Sequence, residues 1–112
     1  MTIETQIANF TPDIIRGGVY LTQVSFKDAD GNPIATLDAS FIGTPEGGSP
    51  FTWDSGNNLF INIGVGIYRF NLLEADTAAL AWDSGTYRIE VVDVSGFTFP
   101  CFIDGLMFAR DC

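Results

Sequence analysis

The stretch TYRIEVVDV, Thr86 to Val94, decides the reading of this chain. Tyr87, Ile89 and Val91 alternate with Arg88 and Glu90, and a period of two sends successive side chains to opposite faces of a strand. One face is apolar and the other charged, so the strand belongs to a sheet with one buried side and one wet side. Neither Gly nor Pro interrupts it.

The same pattern recurs on both sides. Upstream, IYRFNLL (Ile67 to Leu73) puts Tyr68, Phe70 and Leu72 inward and Arg69 and Asn71 outward. ATLDASFI (Ala35 to Ile42) sets Leu37, Ala39 and Phe41 against Thr36, Asp38 and Ser40. VYLTQVSF (Val19 to Phe26) is rich in β-branched and aromatic residues. FTW (Phe51 to Trp53) and LFINI (Leu59 to Ile63) flank DSGNN as a hairpin. Downstream, FTFPCFI (Phe97 to Ile103) continues the series, and Pro100 within it predicts an edge or a bulge. Asp104-Gly105 predicts a turn before LMFAR (Leu106 to Arg110). Only EADTAALAW (Glu74 to Trp82) changes period, giving one or two helical turns capped by Glu74 or Asp76.

Turn chemistry punctuates these runs. DADGNP (Asp28 to Pro33) contains Asp-Gly, and GTPEGGSP (Gly43 to Pro50) reads as a long, mobile loop. Asp30, Gly31, Gly66, Gly85 and Gly105 are the expected structural turn positions. The word WDSG occurs twice, at Trp53 to Gly56 and at Trp82 to Gly85, with unlike flanks, so it reads as one turn solution used twice. The expected fold is all-β: an antiparallel sandwich of seven to nine short strands with one short helical turn. A small barrel is the rival. Residues 1–13 are expected as an N-terminal arm or edge strand, and 14–112 as a single sandwich domain.

Composition narrows the function classes. Five basic residues face fourteen acidic ones, a net charge of −9. Binding to a phosphate backbone relies on clustered Lys and Arg, and Arg16, Lys27, Arg69, Arg88 and Arg110 stand singly, so neither nucleic acid nor an anionic membrane is expected as a partner. Only 17% of residues are charged, below the ~25% usual in globular domains. Interface cores are depleted in Lys and Glu and enriched in aromatics, so part of this surface is expected to be covered by other chains. The opening MTIETQIANF has neither a basic nor an apolar signal region, and no secretory signal is expected.

Catalytic apparatus is not in view. The chain has no His, which excludes Ser–His and Cys–His nucleophile pairs and His-based metal sites. Neither a phosphate loop nor a dinucleotide fingerprint occurs. Asp28, Asp30 and Asn32 have the first spacings of a calcium loop, but Pro33 and Ala39 stand where that loop needs Gly and Glu. The expectation is therefore no enzyme, no cofactor and no metal. Cys101 is expected as a small buried hydrophobe and Cys112 as exposed.

The segment GIYRFNLLEADTAALAWDSGTYRIEVVDVSGFTFPCFIDGLMF (66–108) resembles a pattern in small phage structural proteins. Gly66 and Tyr68, Leu73, Thr77, Ala78 and Leu80, Gly85 and Tyr87, Asp93 and Gly96, and Gly105 are the matching positions, and IIRGGVYLTQVSFKDADGNPI (14–34) resembles the opening of the same domains. The likeness runs from about Ile14 onward. It implies an immunoglobulin-like sandwich of the kind found in tail, baseplate and neck components, including the N-terminal domain of baseplate upper proteins. The loop 43–50 and the lack of a fibre extension depart from that pattern. The resemblance implies a virion protein assembled in the host cytoplasm, contacting other virion proteins and copies of itself. A capsid decoration protein and a carbohydrate-binding module, with Trp53 and Trp82 as sugar platforms, are the alternatives. Phe10, Pro45, Phe51, Trp53, Arg69 and Arg88 are the expected interface residues. Tyr68 and Tyr87 are expected to point inward with their hydroxyls reaching backbone, as in a tyrosine corner.

Overall fold

The computed structural model describes residues 11–27 and 30–111, the side chains of Cys101 and Phe102 excepted. It is a two-sheet β-sandwich. Eight strands and one helix follow in the order β1 (Asp13–Ile15), β2 (Gln23–Ser25), β3 (Thr36–Pro45), β4 (Phe51–Trp53), β5 (Phe60–Gly64), β6 (Ile67–Phe70), α1 (Glu74–Ala78), β7 (Ser84–Asp93) and β8 (Thr98–Arg110). A five-stranded sheet has the order β1-β8-β7-β3-β4, and a three-stranded sheet has the order β2-β6-β5.

The alternating strands behave as their patterns demand. Tyr87, Ile89 and Val91 of β7 are buried, as are Tyr68 and Phe70 of β6 and Leu72 just beyond it. Phe41 meets Phe70 edge-on across the two sheets at 5.2 Å, and Phe60 lies against Phe70 at 4.8 Å. Burying each such ring contributes ~2 kcal/mol relative to leaving it in water.

Several expectations need correction. β3 alternates only from Asp38 onward: a bulge between Thr36 and Asp38 turns Leu37 out to solvent. β3 also runs on through Pro45, so residues 43–45 are strand, and the connection to β4 is shorter than the sequence suggested. The run 19–26 is broken into a bridge at Tyr20 and the three-residue β2. Asp-Gly at 30–31 doubles the chain back only locally, through the antiparallel bridge Lys27–Pro33 and the Ile34 N–H bond to the Phe26 carbonyl, and DSGNN does not close a hairpin. Each carries the chain from one sheet to the other, since β2 and β3, and likewise β4 and β5, lie in different sheets. One ladder is parallel, β1 on β8, joining Asp13–Ile15 to Phe108–Arg110. Because Asp13 pairs in that ladder, the expected boundary after residue 13 cuts through a strand. The expected strand or arm over Ile3 to Phe10, and Cys112, lie outside the described residues.

Two of the expected turns are strand interior. Gly105 sits inside β8 opposite Tyr87, and β8 passes through Asp104-Gly105 without turning. Gly85 lies in β7, where an added Cβ would stand 2.5 Å from the Thr44 carbonyl oxygen and 2.8 Å from Met107 Cε. Close approach of three strands, not turning, requires glycine there. Gly31 and Gly66 do adopt positive φ, as turns require. Pro100 falls in the irregular stretch of β8 between the pairings Ile89–Ile103 and Val91–Phe99, on the side β1 leaves open.

Helix α1 starts where expected. Asp76 accepts a 2.9 Å hydrogen bond from the Leu73 backbone N–H, half of a capping box. The buried Thr77 hydroxyl donates to the Gly18 carbonyl and accepts from the Gly17 N–H, fastening the helix to the start of the chain.

Candidate interaction surfaces

The expected interface residues divide three ways. Trp53 and Pro45 are buried. Trp53 stacks on Phe41 at 5.1 Å, and Phe51 lies between the two tryptophans, 4.7 Å from Trp53 and 5.7 Å from Trp82. The Phe51 ring also occupies the space a side chain on Gly43 would need. Burial corrects the interface expectation for Pro45 and Trp53, while Phe51 stays half-buried against the core. It also removes Trp53 as a sugar platform. Arg88 and Arg69 do face outward: Arg88 donates to the Pro100 carbonyl and pairs with Glu90. Phe10 lies outside the described residues. The hydroxyl of Tyr68 bonds the Thr36 hydroxyl at 2.7 Å rather than backbone.

A cleft of about 720 Å³ is lined by Asp13, Arg16, Asp83, Arg110 and Asp111 among others. Its charges satisfy one another. Arg16 pairs with Asp83 at 2.7 Å and Asp111 at 3.2 Å, and Arg110 pairs with Asp13 at 3.1 Å. Arg16 also donates to the Leu80 and Trp82 carbonyls. The hydrogen bond to Asp83 raises its pKa above the ordinary arginine value. This cleft is an ionic strap joining β1, the α1–β7 connection and the chain's last described residues. Among the described residues no group of His, Cys, Asp or Glu gathers to hold a metal, and no helix is long and apolar enough to cross a membrane.

The residues that sequence reasoning missed are apolar and lie at one end of the sandwich. β3 begins, β7 ends and β8 begins there, since Thr36 pairs with Asp93 and Thr98 with Val92. The β5–β6 turn joins them, because Val65 and Gly66 line one cleft with Ala35 and Thr36. Phe97 (67% exposed), Leu37 (65%) and Val65 (63%) are the three most exposed large apolar side chains among the described residues, and the exposed Val94 follows the end of β7 at the same end of the sandwich. Single exposed apolar residues are ordinary, whereas a cluster marks a contact surface.

This end is held in shape before any contact. The buried Asp93 carboxylate accepts from the backbone N–H of Ser95 and of Phe97, both at 2.9 Å. Asp93 N–H donates to the Phe97 carbonyl, and Gly96 N–H to the Asp93 carbonyl. The Phe97 ring therefore rides on a fixed turn, which lowers the ordering cost of binding. One signal in the sequence could have flagged it, the apolar VSGF turn; the exposure of Leu37 follows from a bulge that its alternating run does not announce. Neither a family model nor a curated protein matches this chain.

Proposed function

We propose that this chain is a non-enzymatic assembly module of a bacteriophage particle, a β-sandwich that docks on neighbouring virion proteins through its apolar loop end. The observation that carries the reading is the cluster of Phe97, Leu37, Val65 and Val94 on a turn preordered by Asp93. Aromatic residues at the centre of such clusters dominate binding energy. The two-sheet strand order, β1-β8-β7-β3-β4 over β2-β6-β5, is compatible with an immunoglobulin-like form, although it has eight strands where a variable-type domain has nine and its first strand lies beside the last. In those domains, loops at the ends of the sandwich do the binding. The sequence resemblance of 14–34 and 66–108 supplies the phage setting. The protein's place is then the virion, after assembly in the host cytoplasm.

The test is mass spectrometry of particles purified from cells expressing the gene, with cryo-electron microscopy to locate the chain. Wild type is expected in the particles, and Phe97→Ser combined with Leu37→Ser is expected to reduce incorporation at least tenfold, at about 1.4 kcal/mol per tenfold, without lowering the melting temperature. A chain absent from particles, or a double variant incorporated like wild type, sinks the reading. Density on the head instead of the tail, neck or baseplate would make it a decoration protein using the same contact.

A further inference from the structure

The outer face of the five-stranded sheet is grooved. Two clefts of about 250 and 410 Å³ adjoin on it and share Thr44 and Thr86. Strand register sets their rows. Arg88 of β7 lies beside Asp104 of β8, Thr86 lies between Thr44 of β3 and Leu106 of β8, and Ser84 lies beside Phe108. Small hydroxyl side chains on the central strand make the floor, and the exposed Leu106 and Phe108 make an apolar wall. This is the far half of the sheet from the loop end. Thr36 and Thr44 are eight positions apart on β3, roughly 25 Å at about 3.3 Å per residue.

The polar groups of this groove are open to a ligand. Among the described residues the Asp104 carboxylate and the hydroxyls of Thr44 and Thr86 carry no hydrogen bond, and all three side chains are exposed. Arg88 uses only Nη1 for the Pro100 carbonyl and Glu90, which leaves Nε and Nη2 available. The carboxylate accepts, the guanidinium donates, and each threonine hydroxyl does both. A sugar ring is the complement of that set: hydroxyls around its edge to donate and accept, and C–H groups on its faces to lie against Leu106 and Phe108. Concave sites with an apolar wall and a few fixed polar groups are the usual form of small-ligand sites.

We propose that this groove binds a neutral oligosaccharide. Charge selects neutrality. Asp104 lines one cleft, and Glu46, held by the Ser84 hydroxyl at 3.2 Å, lines the other. The one guanidinium present is already paired with Glu90, so the local field, like the net charge of −9, repels an anionic glycan or a phosphate. A peptide strand is excluded on different grounds. Peptides dock on sheets by adding to an edge, whereas the floor strand β7 is paired with β3 on one side and with β8 on the other. The site is separate from the loop end and does not depend on the docking reading: a module held by its loop end presents the groove on its free half.

An array of neutral and anionic glycans probed with the purified full chain tests this, and a proton–nitrogen NMR titration with each retained oligosaccharide locates the contact. Retention of neutral glycans is expected, with amide shifts centred on Thr86, Arg88 and Asp104. Asp104→Ala is expected to weaken binding by about tenfold or more, and Thr86→Val by less. Melting curves check that both variants are folded, and Thr86→Val decides if Asp104→Ala is not. A wild type that retains no glycan or only anionic ones, shifts centred outside the groove, or folded variants that bind unchanged each overturn the proposal. Phe97→Ser combined with Leu37→Ser is expected to bind the glycan as wild type does. Loss of glycan binding in that folded variant would place the site at the loop end and overturn the groove, whereas unchanged glycan binding with failed particle incorporation keeps the two surfaces distinct.

Discussion

Gly66 shows how much a single position fixes. Its φ is +66°, and a Cβ there would stand 2.8 Å from the carbonyl oxygens of both Ile34 and Phe26. Its own carbonyl accepts from Phe26 N–H. Left-handed backbone costs a non-glycine residue about 1–2 kcal/mol, and neither carbonyl is free to retreat. Gly66→Ala is therefore expected to cost about 3 kcal/mol in urea unfolding; a change under about 1 kcal/mol would contradict the close approach. Tyr20 and Tyr87 make a second residue-level case. Burial, the leading cause, raises both phenols above their ordinary value, and for Tyr87 the charge of Asp104 adds to it. Below about pH 10, where the unfolded phenol titrates, their contribution to stability is complete. Above it the unfolded chain loses protons first, so stability falls as pH rises towards the folded values. The melting temperature should drop from about pH 10 upward, and less steeply in Tyr87→Phe. A flat profile in wild type would remove the argument.

At the scale of elements, strands with clean alternation were legible and their partners were not. β6 and β7 present the predicted residues to the core because period two is local information. Whether the chain turns back or crosses to the other sheet after Asp-Gly or Asp-Ser-Gly depends on core shape, which turn chemistry does not encode. Asn57 illustrates this. It accepts from Asp54 N–H and donates to the Thr52 carbonyl, tightening a crossing that reads like a hairpin. The β7–β8 turn is where one side chain governs an element. Asp93→Ala removes both turn hydrogen bonds and is expected to cost about 2 kcal/mol. Asp93→Asn keeps an acceptor at the same place and should cost clearly less. Equal losses in thermal melts would show that the carboxylate oxygen does not order the turn.

For the whole molecule, the all-β class was readable because every long run obeys one period, while the interface was misassigned. Aromatic content suggested Phe51 and Trp53 at a surface, yet a small sandwich uses its large rings to fill the space between sheets, as the stack from Tyr87 through Phe41 to Trp53 does. The surface that remains is marked instead by where apolar residues fail to find the core: Leu37 at a bulge and Phe97 at a turn. Arg69 was legible as outward-facing, but its place between Gln23 and Ile61 is a fact of three strands brought together.

The parallel pairing of β1 with β8 sets an order of events for the chain as it is made. Asp13 meets Arg110 across 97 positions, and Arg16 meets Asp111 across 95. Strand β1 leaves the ribosome long before β8, its partner among the described residues, exists. Contacts this distant in sequence slow folding, so the nascent sandwich carries an unclosed edge until β8 emerges, and a ribosome stalled before Phe108 should hold a chain whose β1 is still open to protease.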